Sequence, residues 1–269
     1  MGFLVRESVK ERGRFVKLIP PARRKRAHLS QLTTTHFHLR HPLVVAFFSF
    51  SFPGFGNLMQ QRYATAFMLI LWELFINTKA HINTGILYSL LGDFEKAKAV
   101  LDERWLMFYV AIYMYSIWDS YRGSVDMNKL YLLADREDAP ISSIRMGIWD
   151  INYLDKREPW LALVWSVLAP GLGHLYVHKV ITGLFIFTFT ILVSYFAHLP
   201  EAITYTLTGR FDCATKIIDM QWALYLPSIY SFIFYDAYVS AVEYNKLFEK
   251  ELAHYLRRRF QPKRFAWPI

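Results

Sequence analysis

The chain has 269 residues, 54% hydrophobic and 17% aromatic, with a mean hydropathy of +0.17 and a net charge of +9. A water-soluble domain is about 45–50% apolar; here the excess is gathered in blocks, which points to a bilayer. These figures exclude a disordered polyelectrolyte, and the single cysteine, Cys213, excludes a disulfide scaffold.

The amino-terminal arm, residues 1–41, holds ten Lys/Arg against Glu7 and Glu11, and residues 243–269 hold seven against Glu243, Glu249 and Glu251. Positive charge flanking apolar spans marks the cytoplasmic side. The arm, with Arg23-Arg24-Lys25-Arg26, is expected against anionic lipid headgroups. Nucleic acid is not an expected partner, because no motif that reads it is present. A cleavable signal is not expected either, since the first long apolar run starts only at Leu43.

A repeat organises the chain beyond the arm. Displacing the chain by 117 residues lays Pro42 on Pro159, Ser49 on Ser166, Pro53-Gly54 on Pro170-Gly171 and Gly56 on Gly173. Without a gap it then pairs His81 with His198, Gly92 with Gly209, Asp102 with Asp219 and Trp105 with Trp222. It continues through Asp119 and Asp236 to Asn128-Lys129-Leu130 and Asn245-Lys246-Leu247. Apolar periodicity can align two helices, but it does not align Pro, Gly, His, Asp and Asn together. The expected layout is a basic cytoplasmic arm (1–41), a membrane repeat (42–130), a cytoplasmic linker (131–158), a second membrane repeat (159–247) and a basic cytoplasmic tail (248–269).

Each repeat offers three apolar segments in chain order. The first, 42–58 and 159–176, is short and ends in Pro-Gly-x-Gly, which interrupts a helix because Pro lacks a donor and Gly accepts unusual angles. The second covers 63–79 and 180–198, the third 105–121 and 222–242; both approach the roughly 20 residues of a membrane-spanning helix. The fold class expected is an all-α integral membrane protein of two tandem repeats, each with one re-entrant or interfacial segment and two transmembrane helices. Six full spans with inverted repeats are the alternative. The sparse positive charge of loops 80–104 and 199–221 favours four spans with both termini cytoplasmic.

Leu168-Ala169-Pro170-Gly171-Leu172-Gly173-His174-Leu175-Tyr176, followed by Thr182-Gly183 and later Tyr235-Asp236-Ala237-Tyr238, resembles bacterial membrane proteins related to the two-transmembrane domain family. Those carry a Pro-Gly-x-Gly-x-x-Tyr turn before a helix and a later Asp-x-Tyr element. The first copy departs by Met59 in place of Tyr and Ala66 in place of Gly. The resemblance covers both repeats and implies a bacterial cytoplasmic-membrane location, with no activity attached.

Asp119 and Asp236 lead the polar candidates. Their expected role is to accept hydrogen bonds from backbone N–H groups freed at Pro53-Gly54-x-Gly56 and Pro170-Gly171-x-Gly173, with proton relay as the functional alternative. Asn128 and Asn245 read as helix-end polar residues. Glu73, alone in an apolar run, is costly there and so is either hydrogen-bonded or functional. His81 and His198 close the second segments as interfacial residues. His36-x-His38-x-x-His41, and His174 with His178, lack the companions of a zinc site, so no metal is expected. No nucleotide loop or nucleophile elbow occurs, so neither a cofactor nor an enzyme is expected. The function expected is a non-enzymatic membrane scaffold that binds an unidentified membrane protein; the alternative is a small transporter or channel with a polar site between the repeats.

Overall fold

The computed structural model describes residues 24–138, Ile141 and 144–260. Arg23 of the basic quartet and the tail beyond Phe260 lie outside the described residues. The fold is all-α apart from two short antiparallel hairpins. In chain order it runs β1 (Ala27–Leu29), β2 (Thr34–His36), α1 (Pro42–Ser51), α2 (Phe55–Met59), α3 (Tyr63–Ala80), α4 (Ile82–Leu90), α5 (Phe94–Val100) and α6 (Glu103–Glu137). It continues β3 (Ile144–Met146), β4 (Ile151–Tyr153), α7 (Pro159–Leu168), α8 (Leu172–Tyr176), α9 (Val180–Phe196), α10 (Leu199–Leu207), α11 (Phe211–Ile217), α12 (Met220–Ala223) and α13 (Tyr225–Phe260).

The second set of elements follows the first at an offset of 117 residues, hairpin included: Ala27 begins β1 and Ile144 begins β3. The sequence pairing starts only at Pro42, because across the hairpins it retains little beyond Arg40 and Arg157. The stretch 131–158, read as a linker, therefore holds the end of α6 and a β-hairpin. The arm from residue 24 is likewise folded. Its hairpin packs on the second half, where Ala27 and Leu29 share a buried cluster with Leu154, Tyr244 and Leu247. Thr33 pairs with Lys179 across the halves, and Asn152 Nδ2 donates to Ser30 O at 2.8 Å.

The broken segment is a half-length hairpin. Phe52 is extended (φ −154°), as a residue before proline prefers, and Gly54 has φ +98° in the left-handed region; Ala169 and Gly171 repeat this at −151° and +96°. α1 runs antiparallel to α6, from Arg40 bonded to Asn128 up to Phe50 O, which accepts from Tyr113 Oη at 2.7 Å. α2 then turns back, so that Asn57 reaches Asp119 and Gln60 reaches Ser120. The first segment thus enters and returns on one side of the bundle. α3 next runs antiparallel to α6, from Arg62 beside Asp119 to Ala80 O, which accepts from Asp102 N at 3.3 Å. α4 and α5 form the far tip.

Small residues allow these helices to approach closely. Ser116, Ser120 and Ser124, one turn apart on α6, are all fully buried, as are Ala237 and Ala241 on α13. A Cβ added at Gly56 would lie 2.5 Å from Val45 O and 2.9 Å from Ser120 Cβ; at Gly173 it would lie 2.3 Å from Ala162 O. These two glycines seat the return helix against both its neighbours. The halves then share one core. Phe52 and Phe55 stack at 4.5 Å, Phe55 meets Phe232 at 4.7 Å, and Phe67 meets Phe185 at 4.5 Å. The two breaks are not equivalent in that core: Phe52 to Gln60 is buried throughout, whereas Ala169, Pro170 and Leu172 are half-buried.

Among the described residues no single helix is long and apolar enough to cross a membrane; the bent pair Val180–Phe196 and Leu199–Leu207, angled at 66°, meets that requirement together. The third segments are longer than their apolar stretches suggest. α6 has 35 residues, about 52 Å at about 1.5 Å per residue, and its second half carries the polar residues that meet the hairpins.

Gly56→Ala and Gly173→Ala are expected to lower the melting temperature of the purified protein, each costing roughly 1–3 kcal/mol through forced displacement of backbone. Gly92→Ala, where an added Cβ meets nothing but φ is +80°, is expected to cost less.

Candidate functional site

The end of each hairpin sets up a polar triad. Gln61 and His178 adopt φ of +59° and +58°, left-handed positions that end α2 and α8. The backbone closes with Arg62 N donating to Asn57 O at 3.0 Å and Lys179 N donating to His174 O at 2.8 Å. This reversal, of the kind that terminates helices, turns Arg62 and Lys179 back toward the long helix. There each meets an aspartate.

In the second half, Lys179 Nζ donates to Asp236 Oδ2 at 2.9 Å and His174 Nε2 lies 3.1 Å from the same oxygen. All three residues are buried, His174 completely. In the first half Arg62 donates to both oxygens of Asp119 at 2.8 and 3.2 Å, and Asn57 Nδ2 donates at 2.6 Å. This pair is more open, with the Arg62 side chain 32% exposed. Taking an isolated charge out of water is expensive, and pairing with further hydrogen bonds is what makes it tolerable. Each aspartate thereby ties the return helix, the loop after it and the long helix together.

Asp119 and Asp236 thus occupy the junction expected of them, but their donors differ from those expected. They accept from side chains of the turn instead of from its backbone N–H groups. The glycine-turn amide of the first half, Gly54 N, donates to Ser116 Oγ at 3.2 Å, and the nearby turns satisfy themselves locally, as in Leu58 N to Gly54 O at 2.8 Å. The donors are side chains because Asn57, Arg62, His174 and Lys179 all reach the long-helix aspartates, while in the first half the turn amide is already bonded to Ser116. His174 and His178, read from the sequence only as lacking the companions of a zinc site, diverge: His174 meets Asp236, and His178 Nε2 contacts Gln31 O at 2.8 Å.

Glu73 belongs to a separate buried network. Its Oε1 accepts from Asn77 Nδ2 at 2.8 Å and lies 3.5 Å from Tyr109 Oη, while Oε2 has no partner among the described residues. Asn77 continues to Asn83 and, across the halves, to Gln221 Nε2 at 2.8 Å. Gln221 Oε1 accepts from Thr84 N and Oγ1. No residue is shared among the hydrogen bonds of Glu73, Asp119 and Asp236. His81 and His198 sit at φ of +53° and +55°, each the hinge between two helices. Both rings are exposed, and His198 Nδ1 lies 3.9 Å from Glu201.

Asn128 and Asn245 are not at helix ends, because α6 and α13 run on well past them. Each amide clamps a backbone: Asn128 bonds both N and O of Arg40 (2.9 and 2.7 Å), and Asn245 does the same for Arg157 (2.7 and 2.6 Å). The His36 and His38 rings lie 4.9 Å apart, tilted by 33°. Burial, with Arg40 close by, pushes the His36 imidazole down to about 3 and lowers His38 as well, so both rings are neutral at pH 7. Among the described residues no group of three or more His, Cys, Asp or Glu could hold a metal ion.

Sequence reasoning missed the partners of the aspartates. Arg62 and Lys179 share a charge at the 117-residue offset, and that signal was open to reading; Asn57 and His174 share only hydrogen-bonding capacity. Among the described residues no Ser, Thr or Cys accepts or donates within either triad. The arrangement can hold helices in register and store charge; it does not present an activated nucleophile.

Asp236→Ala is expected to destabilise the protein by roughly 3–5 kcal/mol, since it strands a buried lysine, and Lys179→Met is expected to recover much of that loss. Asp119→Ala should cost less, because Arg62 can reach solvent. Thermal unfolding of the three variants checks the order. The chain matches no protein-family model, no curated protein and no solved structure.

Proposed function

We propose that the chain is a polytopic membrane protein, made by tandem duplication, that serves as a scaffold for a membrane partner. The observation that carries this reading is an inside-out polarity. On α3, Glu73 and Asn77 are buried while Met68 and Leu71 are 73% and 65% exposed. On α6 the buried residues are Ser116, Ser120, Ser124 and Ala134, and Met107, Phe108 and Trp118 face outward. On α9, Thr182 and Thr190 are buried while Leu184 and Ile191 are exposed. In water, contiguous apolar surface of this extent is unfavourable; in lipid it is the expected outer face, with small and polar residues holding the helices together.

The matching element bounds and the identities at the 117-residue offset support the duplication. The hairpin shape of α1–α2 and α7–α8 supports four crossings with two re-entrant segments, because irregular backbone at membrane depth needs protein around it. The Pro-Gly-x-Gly-x-x-Tyr turn supports kinship with two-transmembrane domain proteins. Scaffolding is favoured over transport by the three carboxylates, which lie in three separate networks instead of converging on one path. The outer tips supply a holding surface, with Phe94 62% and Phe211 64% exposed.

Two measurements test this. In a Cys213→Ser background, Ile148→Cys, fully exposed in the second hairpin, is expected to resist an impermeant maleimide in intact cells and to react after permeabilisation, whereas native Cys213 reacts from outside. Labelling of Ile148→Cys from outside would replace the layout by one with six crossings. Phe94→Ser with Phe211→Ser is expected to leave melting unchanged and to abolish co-purification of the wild-type partner from native membranes; unchanged recovery would remove the outer tips from the holding surface.

A further inference from the structure

The two arginines clamped by the long-helix asparagines occupy equivalent positions but have different surroundings. The Arg157 guanidinium lies 5.5 Å from the ring centres of both Tyr153 and Tyr176, held between two aromatic faces. At the corresponding places in the first half stand His36 and Met59. Arg40 has neither aromatic partner nor ion pair among the described residues; its Nη1 finds only Met127 Sδ at 4.0 Å.

Where the second half places Tyr176, the first half has a cavity of about 180 Å³, lined by Arg40, His38, Met59, Val45, Asp236 and Glu243 among others. His38 is 7% exposed and its buried Nδ1 has no partner among the described residues. The acidic groups on the wall are already engaged: Asp236 takes Lys179 and His174, and Glu243 takes Lys246 Nζ at 2.6 Å. Among the described residues Arg40 has no carboxylate in contact: Asp236 and Glu243 attract it without touching it, and both are already paired, so its guanidinium beside a polar space suits an anion.

We propose that this cavity binds a phosphate group, carried by an anionic membrane lipid or free in solution. Arg40 is its main ligand and His38 donates a further hydrogen bond. A guanidinium fork suits phosphate oxygens better than a point charge would. Val44, Val45 and Val239 give the same cavity an apolar wall, which suits the glycerol and upper acyl region of a lipid. The lipid arm of this proposal rests on the reading of the chain as a membrane protein, and the inorganic-phosphate arm does not.

The test uses full-length protein purified in a phosphate-free maltoside detergent. Melting is followed against inorganic phosphate and against short-chain phosphatidic acid, and native mass spectrometry reads any phospholipid carried through purification. A melting rise with either probe, or carried lipid, is expected of the wild type; phosphatidic acid alone acting identifies the lipid source, and inorganic phosphate alone the free anion. Arg40→Gln is expected to weaken binding by roughly tenfold or more, while Arg157→Gln retains it. Met59→Tyr, which restores the aromatic partner present in the second half, is expected to fold and to lose the response. Wild type with neither carried lipid nor a melting response, or an undiminished response in a folded Met59→Tyr variant, would overturn the site.

Discussion

The contact on which the rest of the structure depends is the ion pair between a long-helix aspartate and the cation that follows the helical hairpin. α1 and α2, or α7 and α8, are too short to stand alone, and their break leaves the chain free to leave in any direction. Asp119 with Arg62 and Asp236 with Lys179 fix that direction. Each pair determines where the next helix starts, and so its antiparallel course along the long helix. Once α3 and α9 are placed, the outer tips close on Ala80 and Ala197 through the N-capping residues Asp102 and Asp219. Glycine and serine do the complementary work, letting backbones come near enough for the side chains to reach.

The two copies use the same geometry with different chemistry. Asparagine and arginine give the first pair a partly solvated, bidentate form; histidine and lysine give the second a sealed one. A similar divergence separates Arg157, gripped by tyrosines, from Arg40 beside its cavity. The 117-residue correspondence gives each position a structural reference elsewhere in the same molecule, and departures from that reference locate where the halves differ. The shared aromatic core shows the same asymmetry, since Phe52 and Phe55 insert between the halves while Ala169 and Leu172 do not.

Much of this was legible in the sequence. Pro-Gly-x-Gly located both breaks, because a residue before proline must be extended and the following glycine left-handed. The 117-residue displacement set the helices in register, and Asp119 and Asp236 marked the junction. The hairpins escaped because Ala27–His36 and Ile144–Tyr153 keep a backbone pairing but no identical residue, and three-residue strands carry no periodic signal. The Glu73 network was legible only at Glu73: Asn77 and Asn83 are near it but ordinary in type, and Gln221 lies 138 residues beyond Asn83. Asn128 and Asn245 were mislocated because the apolar stretches end before them, at 121 and 242, whereas the helices run on to Glu137 and Phe260.

The first hairpin has a consequence for the order of assembly. Its strands leave the ribosome early, yet the surface that buries Leu29 is made from Leu154, Tyr244 and Leu247, and the backbone it pairs with is that of Lys179. A first half freshly synthesised therefore holds its opening strands in waiting until almost the whole chain has emerged. Newly made chains at that stage present an unfilled edge that the second half of a neighbouring molecule could occupy as well as their own. Slow completion of the second half favours exchange between chains, and prompt completion favours closure within one.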